Sequence, residues 1–75
     1  MTYTCQDVVI DTIQEAGPQE RQILRRECRE KATPYDNLIF AAAMGDLLAS
    51  GRIIIQGPRN STDTPIFDLP AEYYR

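Results

Sequence analysis

The sequence has no histidine and only two cysteines, Cys5 and Cys28, among its 75 residues. The absence of histidine excludes imidazole general-base catalysis and every catalytic triad that contains histidine. Two cysteines without histidine also argue against a structural zinc site, which needs about four such ligands. No nucleophile–base pair and no glycine-rich phosphate loop is visible in the sequence. We therefore expect a protein that is not an enzyme and that uses neither a cofactor nor a small-molecule substrate.

Long apolar runs are also missing, and none approaches the roughly 18 residues that mark a membrane span. No charged segment precedes an apolar stretch at the start of the chain, so the sequence predicts no signal peptide. We therefore expect a cytoplasmic protein without membrane contact, whose cysteines stay reduced. Cys5 and Cys28 are expected to be small buried side chains at one end of the domain, with a redox link as the alternative.

Basic residues are in short supply. Eight Lys and Arg stand against eleven Asp and Glu, which gives a net charge of −3. A protein that is held to nucleic acid by charge alone is usually basic, so any basic surface here must be local. Residues 19–31 carry five basic and three acidic side chains, whereas the rest of the chain is strongly acidic. Most basic residues of this protein are therefore concentrated in one segment.

The sequence contains enough apolar residues for one small globular domain. Hydrophobic residues make up 43% and charged residues 25% of the chain, which are ordinary values for a folded protein. We expect a single domain over residues 1–75 with a short C-terminal tail at 70–75. A chain of this length buries only about 60% of its unfolded surface, which favours a dimer or a partner.

Helix and strand signals follow one another in a simple order. Thr4 is a candidate N-cap for the first helix and Thr33 for the third, because threonine side chains accept hydrogen bonds from backbone N–H groups. The third helix is apolar on nearly all sides from Leu38 to Ala49, with Asp46 as its one polar residue there. Such a helix is expected to be buried on more than one side. The predicted elements are helices at 5–16, 18–31 and 34–50, strands at 52–56 and 65–69, and a loop at 57–64.

The third helix and the strand after it carry a family resemblance, which rests on Phe40, Ala43, Met44 and Leu47, followed by Ser50-Gly51-Arg52-Ile53. With the order of the elements, this pattern over about residues 5 to 69 resembles the winged helix-turn-helix family, whose members mostly bind DNA. The resemblance implies an α+β fold: a small winged helix-turn-helix of three helices followed by a two-stranded β-hairpin wing. The alternative is a three-helix domain whose appended hairpin packs differently.

The resemblance implies that the third helix enters the major groove of double-stranded DNA and that the hairpin loop contacts the backbone or the minor groove. We accordingly expect a small regulatory DNA-binding protein, similar to a transcriptional regulator, that acts as a dimer or with a partner. Asp36 at the start of the third helix would repel phosphate. The candidate DNA-binding residues are Arg21, Arg25, Arg26, Arg29, Thr33, Tyr35, Asn37, Arg52, Arg59 and Asn60.

A second hypothesis assigns the third helix to protein contact, in a winged-helix interaction module that does not bind DNA. Side chains along one side of this helix are apolar and mostly small, so that a protein partner or a second copy could approach closely. Burial within the same molecule is a further alternative. The candidate interface residues are Leu38, Ala41, Ala42, Gly45 and Leu48.

The arginines of the second helix also have a purely structural interpretation. If the first two helices run antiparallel, the acidic side of the first can face the arginines of the second. Exposed pairs of this kind contribute only about 0–1 kcal/mol each, but they would neutralise a phosphate-binding surface. The predicted pairs are Glu15 with Arg21, Asp11 with Arg25 and Asp7 with Arg29.

Overall fold

The computed structural model describes residues 3–56 and 65–74, and it contains three helices and a three-stranded antiparallel sheet. The predicted α+β class is confirmed, but the predicted two-stranded hairpin is wrong, because a third strand joins the sheet. The predicted loop at 57–64 lies outside the described residues. In chain order the elements are α1 (Cys5–Ala16), β1 (Gln19–Glu20), α2 (Arg21–Lys31), α3 (Asn37–Ala49), β2 (Ile54–Gln56), β3 (Ile66–Asp68) and a 3-10 helix at Ala71–Tyr74.

The first helix begins and ends where the sequence predicts. The Asp7 backbone N–H donates to the Thr4 hydroxyl oxygen at 3.2 Å, and the Thr4 N–H donates to the Asp7 carboxylate at 3.4 Å. This reciprocal pair satisfies two N–H groups at the helix start. At the other end Gly17 has a φ of 85°, a left-handed conformation that glycine adopts without strain, and its N–H donates to the Ile13 carbonyl.

The second helix is shorter than predicted, because residues that were expected at its start form a strand instead. Gln19 and Glu20 pair antiparallel with Phe67 and Ile66 of β3, so β3 lies between β1 and β2. The prediction that the helix starts at residue 18 is therefore wrong, and α2 starts at Arg21. A two-residue strand is fixed by its distant partner and has no pattern of its own in the sequence.

The third helix starts later than predicted, and its cap is a different residue. Asp36 is the N-cap, and its carboxylate accepts a hydrogen bond from the Ile39 N–H at 2.7 Å. The prediction that Thr33 caps this helix is wrong, because Thr33 lies before the helix and its own N–H donates to the Tyr3 carbonyl at 2.9 Å. The loop that contains Thr33 is thereby tied to the segment just before α1.

One hydrophobic core joins the three helices to the sheet. Only one side of α3 packs into this core. Phe40, Ala43, Met44 and Leu47 are buried, whereas Leu38 is 81% exposed. The prediction that α3 is buried on more than one side is wrong. The core cluster of this small domain covers the Phe40 side alone. The other buried hydrophobic residues are Cys5, Val8, Val9, Ile13, Leu24, Cys28, Ala32, Ile53, Phe67 and Leu69.

The two predicted strands are present but shorter, at three residues each. Ile55 pairs with Phe67, and β2 forms one edge of the sheet with its three side chains exposed. The side-chain amide of Gln56 donates to the Asp68 carboxylate at 2.6 Å, which ties this edge to the central strand. In the described part of the chain, no helix is both long enough and apolar enough to cross a membrane.

Candidate nucleic-acid interface

Four exposed arginines of α2 form the arginine face, defined as Arg21, Arg25, Arg26 and Arg29. Leu24 and Cys28 are buried and fix the rotation of the helix about its axis. Residues three and four apart are neighbours on a helix, so the arginines lie side by side. Like charges at this spacing disfavour the helix by about 0.2–0.5 kcal/mol per pair. The arrangement is therefore unfavourable unless an anion is bound nearby.

The arginine face adjoins the start of α3 and forms a concave surface with it. Arg25, Arg26, Arg29 and Asn37 line a concavity of about 590 Å³, together with Gln22 and Ile23 of α2. Sequence reasoning predicted the arginines and Asn37 but missed Gln22 and Ile23, whose positions follow from the helical spacing of their neighbours. A concave site with three guanidinium groups is suited to anions such as phosphate, because guanidinium groups donate paired hydrogen bonds to them.

Arg21 connects the arginine face to α3. Its guanidinium carbon lies 5.1 Å from the centre of the Phe40 ring, which is a cation–π contact. Phe40 is itself almost completely buried in the core. The side of α2 that carries Arg21 therefore faces α3.

The predicted pairing between the arginines and the acidic residues of α1 is wrong. Among residues 3–56 and 65–74, the one ion pair joins Lys31 to Glu27 at 3.2 Å. The Glu27 carboxylate, which accepts a hydrogen bond from Lys31, raises the pKa of the Lys31 ammonium, and the charge of Glu15 adds to this effect. Asp11 and Glu15 line a groove with Lys31 at the other edge of α2. The acidic side of α1 thus faces the lysine edge of α2, and the arginine face keeps its charge.

Asn37 and Tyr35 lie together at the start of α3. The Tyr35 hydroxyl donates a hydrogen bond to the Asn37 side-chain oxygen at 3.3 Å. Asn37 is exposed and Tyr35 is half-buried against the core. Asp36 uses one carboxylate oxygen as the helix cap, so its charge is directed in part to the backbone of α3. Thr33 is exposed but does not line the concavity of the arginine face.

The remaining basic candidates do not join this cluster in the described residues. Arg52 follows the far end of α3, about 20 Å along a 13-residue helix from Asn37. Its guanidinium donates to the Gln6 side-chain oxygen at 2.7 Å and to the Ser50 hydroxyl at 3.2 Å. Arg59 and Asn60 lie outside the described residues.

The side of α3 that faces away from the core is exposed and mostly apolar, and the exposed Asp46 borders it beside Ala42. Leu38, Ala41, Ala42 and Gly45 are exposed there, and Ala49, which sequence reasoning missed, is exposed as well. The alternative that the predicted interface residues are buried within the same molecule is therefore wrong for these four. Leu48 differs from them, because it is half-buried and packs against the core. We call Leu38, Ala41, Ala42, Gly45 and Ala49 the outer face of α3.

The two cysteines are free thiols inside the core, as predicted. The Cys28 thiol donates to the Cys5 carbonyl at 3.5 Å, which places both residues at the same end of the helix pair. The pKa of Cys28 is raised to about 12, mainly by burial and to a smaller extent by the neighbouring Cys5. Burial also raises the pKa of Cys5, although the hydrogen bond with Cys28 opposes the change. Thiols of this kind stay protonated and inert at neutral pH.

No cluster of three or more potential metal-ligating side chains occurs within residues 3–56 and 65–74. Comparisons with models of known protein families, with curated proteins and with solved structures found no match. The functional assignment therefore depends on the geometry of α2 and α3.

Proposed function

We propose that this chain is a small cytoplasmic DNA-binding regulator of the winged helix-turn-helix type that acts on double-stranded DNA. The arginine face carries the proposal, because its charges have no carboxylate partner in the described part of the chain and they surround a concavity beside Asn37. DNA phosphates are anions that match this arrangement, since phosphate contacts from arginine position a protein on the duplex. The order of three helices followed by an antiparallel strand pair supports the winged-helix assignment.

In this proposal α2 lies across the DNA backbone and α3 lies in the major groove. Helix-turn-helix proteins dock with the second helix of the motif in the groove, and the N-terminal residues of that helix contact base edges. Asn37 is at the N-terminal end of α3 and lines the same concavity as Arg25 and Arg29. One contact surface can therefore hold phosphates and reach the bases.

The overall charge of −3 limits the affinity of a single copy. Each arginine that neutralises a phosphate releases a counterion, and a few such contacts give weak binding at physiological salt. We therefore propose that the protein acts as a dimer or with a partner, because two linked copies double the number of phosphate contacts.

The test is a gel shift with the full chain and duplex DNA at low and high salt. Arg25→Glu should abolish the shift without lowering the thermal stability, because Arg25 is exposed. Lys31→Glu is the matched control, since it makes the same change in charge at the opposite edge of α2, and it should still bind. Binding by Arg25→Glu as tight as that of the unaltered protein would contradict the proposal.

A second function is favoured by the outer face of α3. Leu38 is 81% exposed beside small apolar residues, which is typical of a surface that contacts another protein. In this proposal the chain is a protein interaction module that does not bind DNA. Ala42→Glu should then convert a larger species into a monomer in light scattering, and an unaltered mass would count against it.

A further inference from the structure

The two cysteine side chains meet inside the core, although they are 23 positions apart in the sequence. The Cys28 thiol donates a hydrogen bond to the Cys5 carbonyl oxygen at 3.5 Å. The carbonyl group and the side chain of Cys5 are bonded to the same Cα, so this contact places the Cys28 sulfur beside the Cys5 side chain. A side-chain hydrogen bond also couples the two thiols to each other. Neither sulfur belongs to the arginine face.

Backbone hydrogen bonds hold the chain together around the two thiols. The Thr33 N–H donates to the Tyr3 carbonyl at 2.9 Å, and the Ala32 N–H donates to the Cys28 carbonyl at 2.8 Å. The segment that leads into α1 is thereby fastened to the loop that follows α2. A disulfide requires that the backbone bring both cysteines within reach of one bond. The fold meets this requirement by holding the start of α1 against the end of α2.

We propose that Cys5 and Cys28 are the site of a reversible intramolecular disulfide that locks the start of α1 to the end of α2. This inference goes beyond the proposed DNA-binding function and does not rest on it. Cys28 is one of the two buried residues, with Leu24, that fix the rotation of α2 about its axis. The bond therefore also locks the rotation that turns the arginine face towards α3.

The oxidant in this reaction is a disulfide of low molecular weight, such as glutathione disulfide. Cys5 loses its proton and attacks one sulfur of the oxidant, which forms a mixed disulfide and releases one glutathione thiolate. Cys28 then loses its proton and attacks the Cys5 sulfur, which forms the Cys5–Cys28 bond and releases the second glutathione thiolate. Two protein thiols are oxidised, the S–S bond of the oxidant is reduced, and the two protons end on the two glutathione thiols.

The positions of the two thiols determine the order and the speed of these steps. Cys28 is fully buried, whereas Cys5 is the first residue of α1, and helix ends open more readily than the interior of a domain. Cys5 therefore reacts first, and Cys28 resolves the mixed disulfide. Because both thiols are buried in the closed fold, the exchange proceeds through opening of the first turn of α1 and is slow.

The test compares disulfide formation in the folded and the unfolded chain. The full chain is equilibrated with mixtures of reduced and oxidised glutathione, in buffer and in urea, from both the reduced and the oxidised protein. Acid quenching, alkylation of free thiols and mass spectrometry then measure the fraction of each species. A disulfide that fits the fold should form with an equilibrium constant about 100-fold larger in the folded than in the unfolded chain. The oxidised protein should accordingly melt about 10–20 °C above the reduced protein.

A displaced cysteine pair is the matched control. Glu30 is exposed and lies two residues after Cys28 in α2, which turns its side chain by about 200° around the helix. In the double variant Cys28→Ala with Glu30→Cys, formation in urea should match that of the unaltered protein, because the loop length is nearly the same. The folded double variant should lose the enhancement. Cys5→Ala should form no intramolecular disulfide in either condition.

Three results would overturn the inference. The first is an equilibrium constant in the folded chain that is equal to or smaller than that in urea, because the fold would then hold the two sulfurs out of bonding geometry. The second is an end product that contains mixed disulfides with glutathione or disulfides between two chains. The third is a melting temperature that oxidation leaves unchanged or lowers. The expected rise in melting temperature should be reversed by dithiothreitol.

Discussion

Arg21 lies with its guanidinium carbon 5.1 Å from the centre of the Phe40 ring, so a charged surface residue of α2 contacts the core side of α3. The buried Leu24 and Cys28 set the rotation of α2, which turns the arginine row towards the start of α3 and away from the acidic residues of α1, and the Arg21 contact forms on that side. Lys31 and Glu27 occupy the other edge of α2. The basic surface is therefore a consequence of how α2 is rotated in the fold.

The contact with Phe40 predicts a difference between two arginines of the same helix. Arg21→Ala should lower the free energy of unfolding by about 0.5–1 kcal/mol, because the cation–π contact is lost. Arg25→Ala should leave it unchanged or raise it by up to about 0.5 kcal/mol, since it relieves repulsion from Arg21 and Arg29. Urea denaturation of both variants measures these changes. A larger loss in Arg25→Ala than in Arg21→Ala would contradict this account of α2.

The cap of α3 gives a second matched comparison. Asp36→Ala should cost about 1 kcal/mol of stability, because the Ile39 N–H loses its acceptor. Thr33→Ala should cost less than about 0.5 kcal/mol, since no side-chain hydrogen bond of Thr33 is present in the described structure and only its backbone contacts Tyr3. Thermal denaturation of the two variants checks this, and an equal loss in both would restore Thr33 as the cap.

The two sides of α3 should respond differently to truncation. Leu47→Ala should destabilise the protein by about 2–5 kcal/mol, because it leaves a cavity in the core. Leu38→Ala should change stability by less than about 0.5 kcal/mol in the absence of ligand. If Leu38→Ala unfolds the protein as readily as Leu47→Ala does, the outer face is covered in solution.

The buried thiols predict a dependence of stability on pH. The pKa of Cys28 rises from 9.0 to about 12 on folding, so the folded state holds this proton more tightly than the unfolded chain does. The stabilisation is complete below pH 9.0 and is lost as the pH rises towards about 12. Cys28→Ala should show a smaller loss over this range. Rapid labelling of native Cys28 by a thiol reagent at pH 8 would contradict its burial.

The sequence predicts the parts of this fold that depend on near neighbours. The start of α1 follows from Thr4 and Asp7, whose hydrogen bonds span three residues. The strand at Gln19–Glu20 could not be predicted, because its partners Phe67 and Ile66 are distant in the chain. Whether such a short strand forms depends on hydrogen bonds to residues that are distant in the sequence.

The candidate site shows the same limit. The arginines are evident in the sequence, but whether they face α1 or α3 depends on the packing of Leu24 and Cys28. In α3, apolar residues surround the helix, so no periodic pattern indicates which side is buried. The family resemblance, which set Phe40 apart from the candidate interface residue Leu38, separated the two sides, and the structure shows that the Phe40 side is buried and that Leu38 is 81% exposed.

The salt dependence of DNA affinity is the most direct test of the central claim, that the arginine face binds phosphate. The logarithm of the binding constant for a short duplex should fall linearly with the logarithm of the salt concentration. Arg25→Gln should reduce the slope by about 0.9, the value for one phosphate contact, and Lys31→Gln should leave it unchanged. The same slope in Arg25→Gln and the unaltered protein, or no measurable affinity in the latter at low salt, would contradict the account.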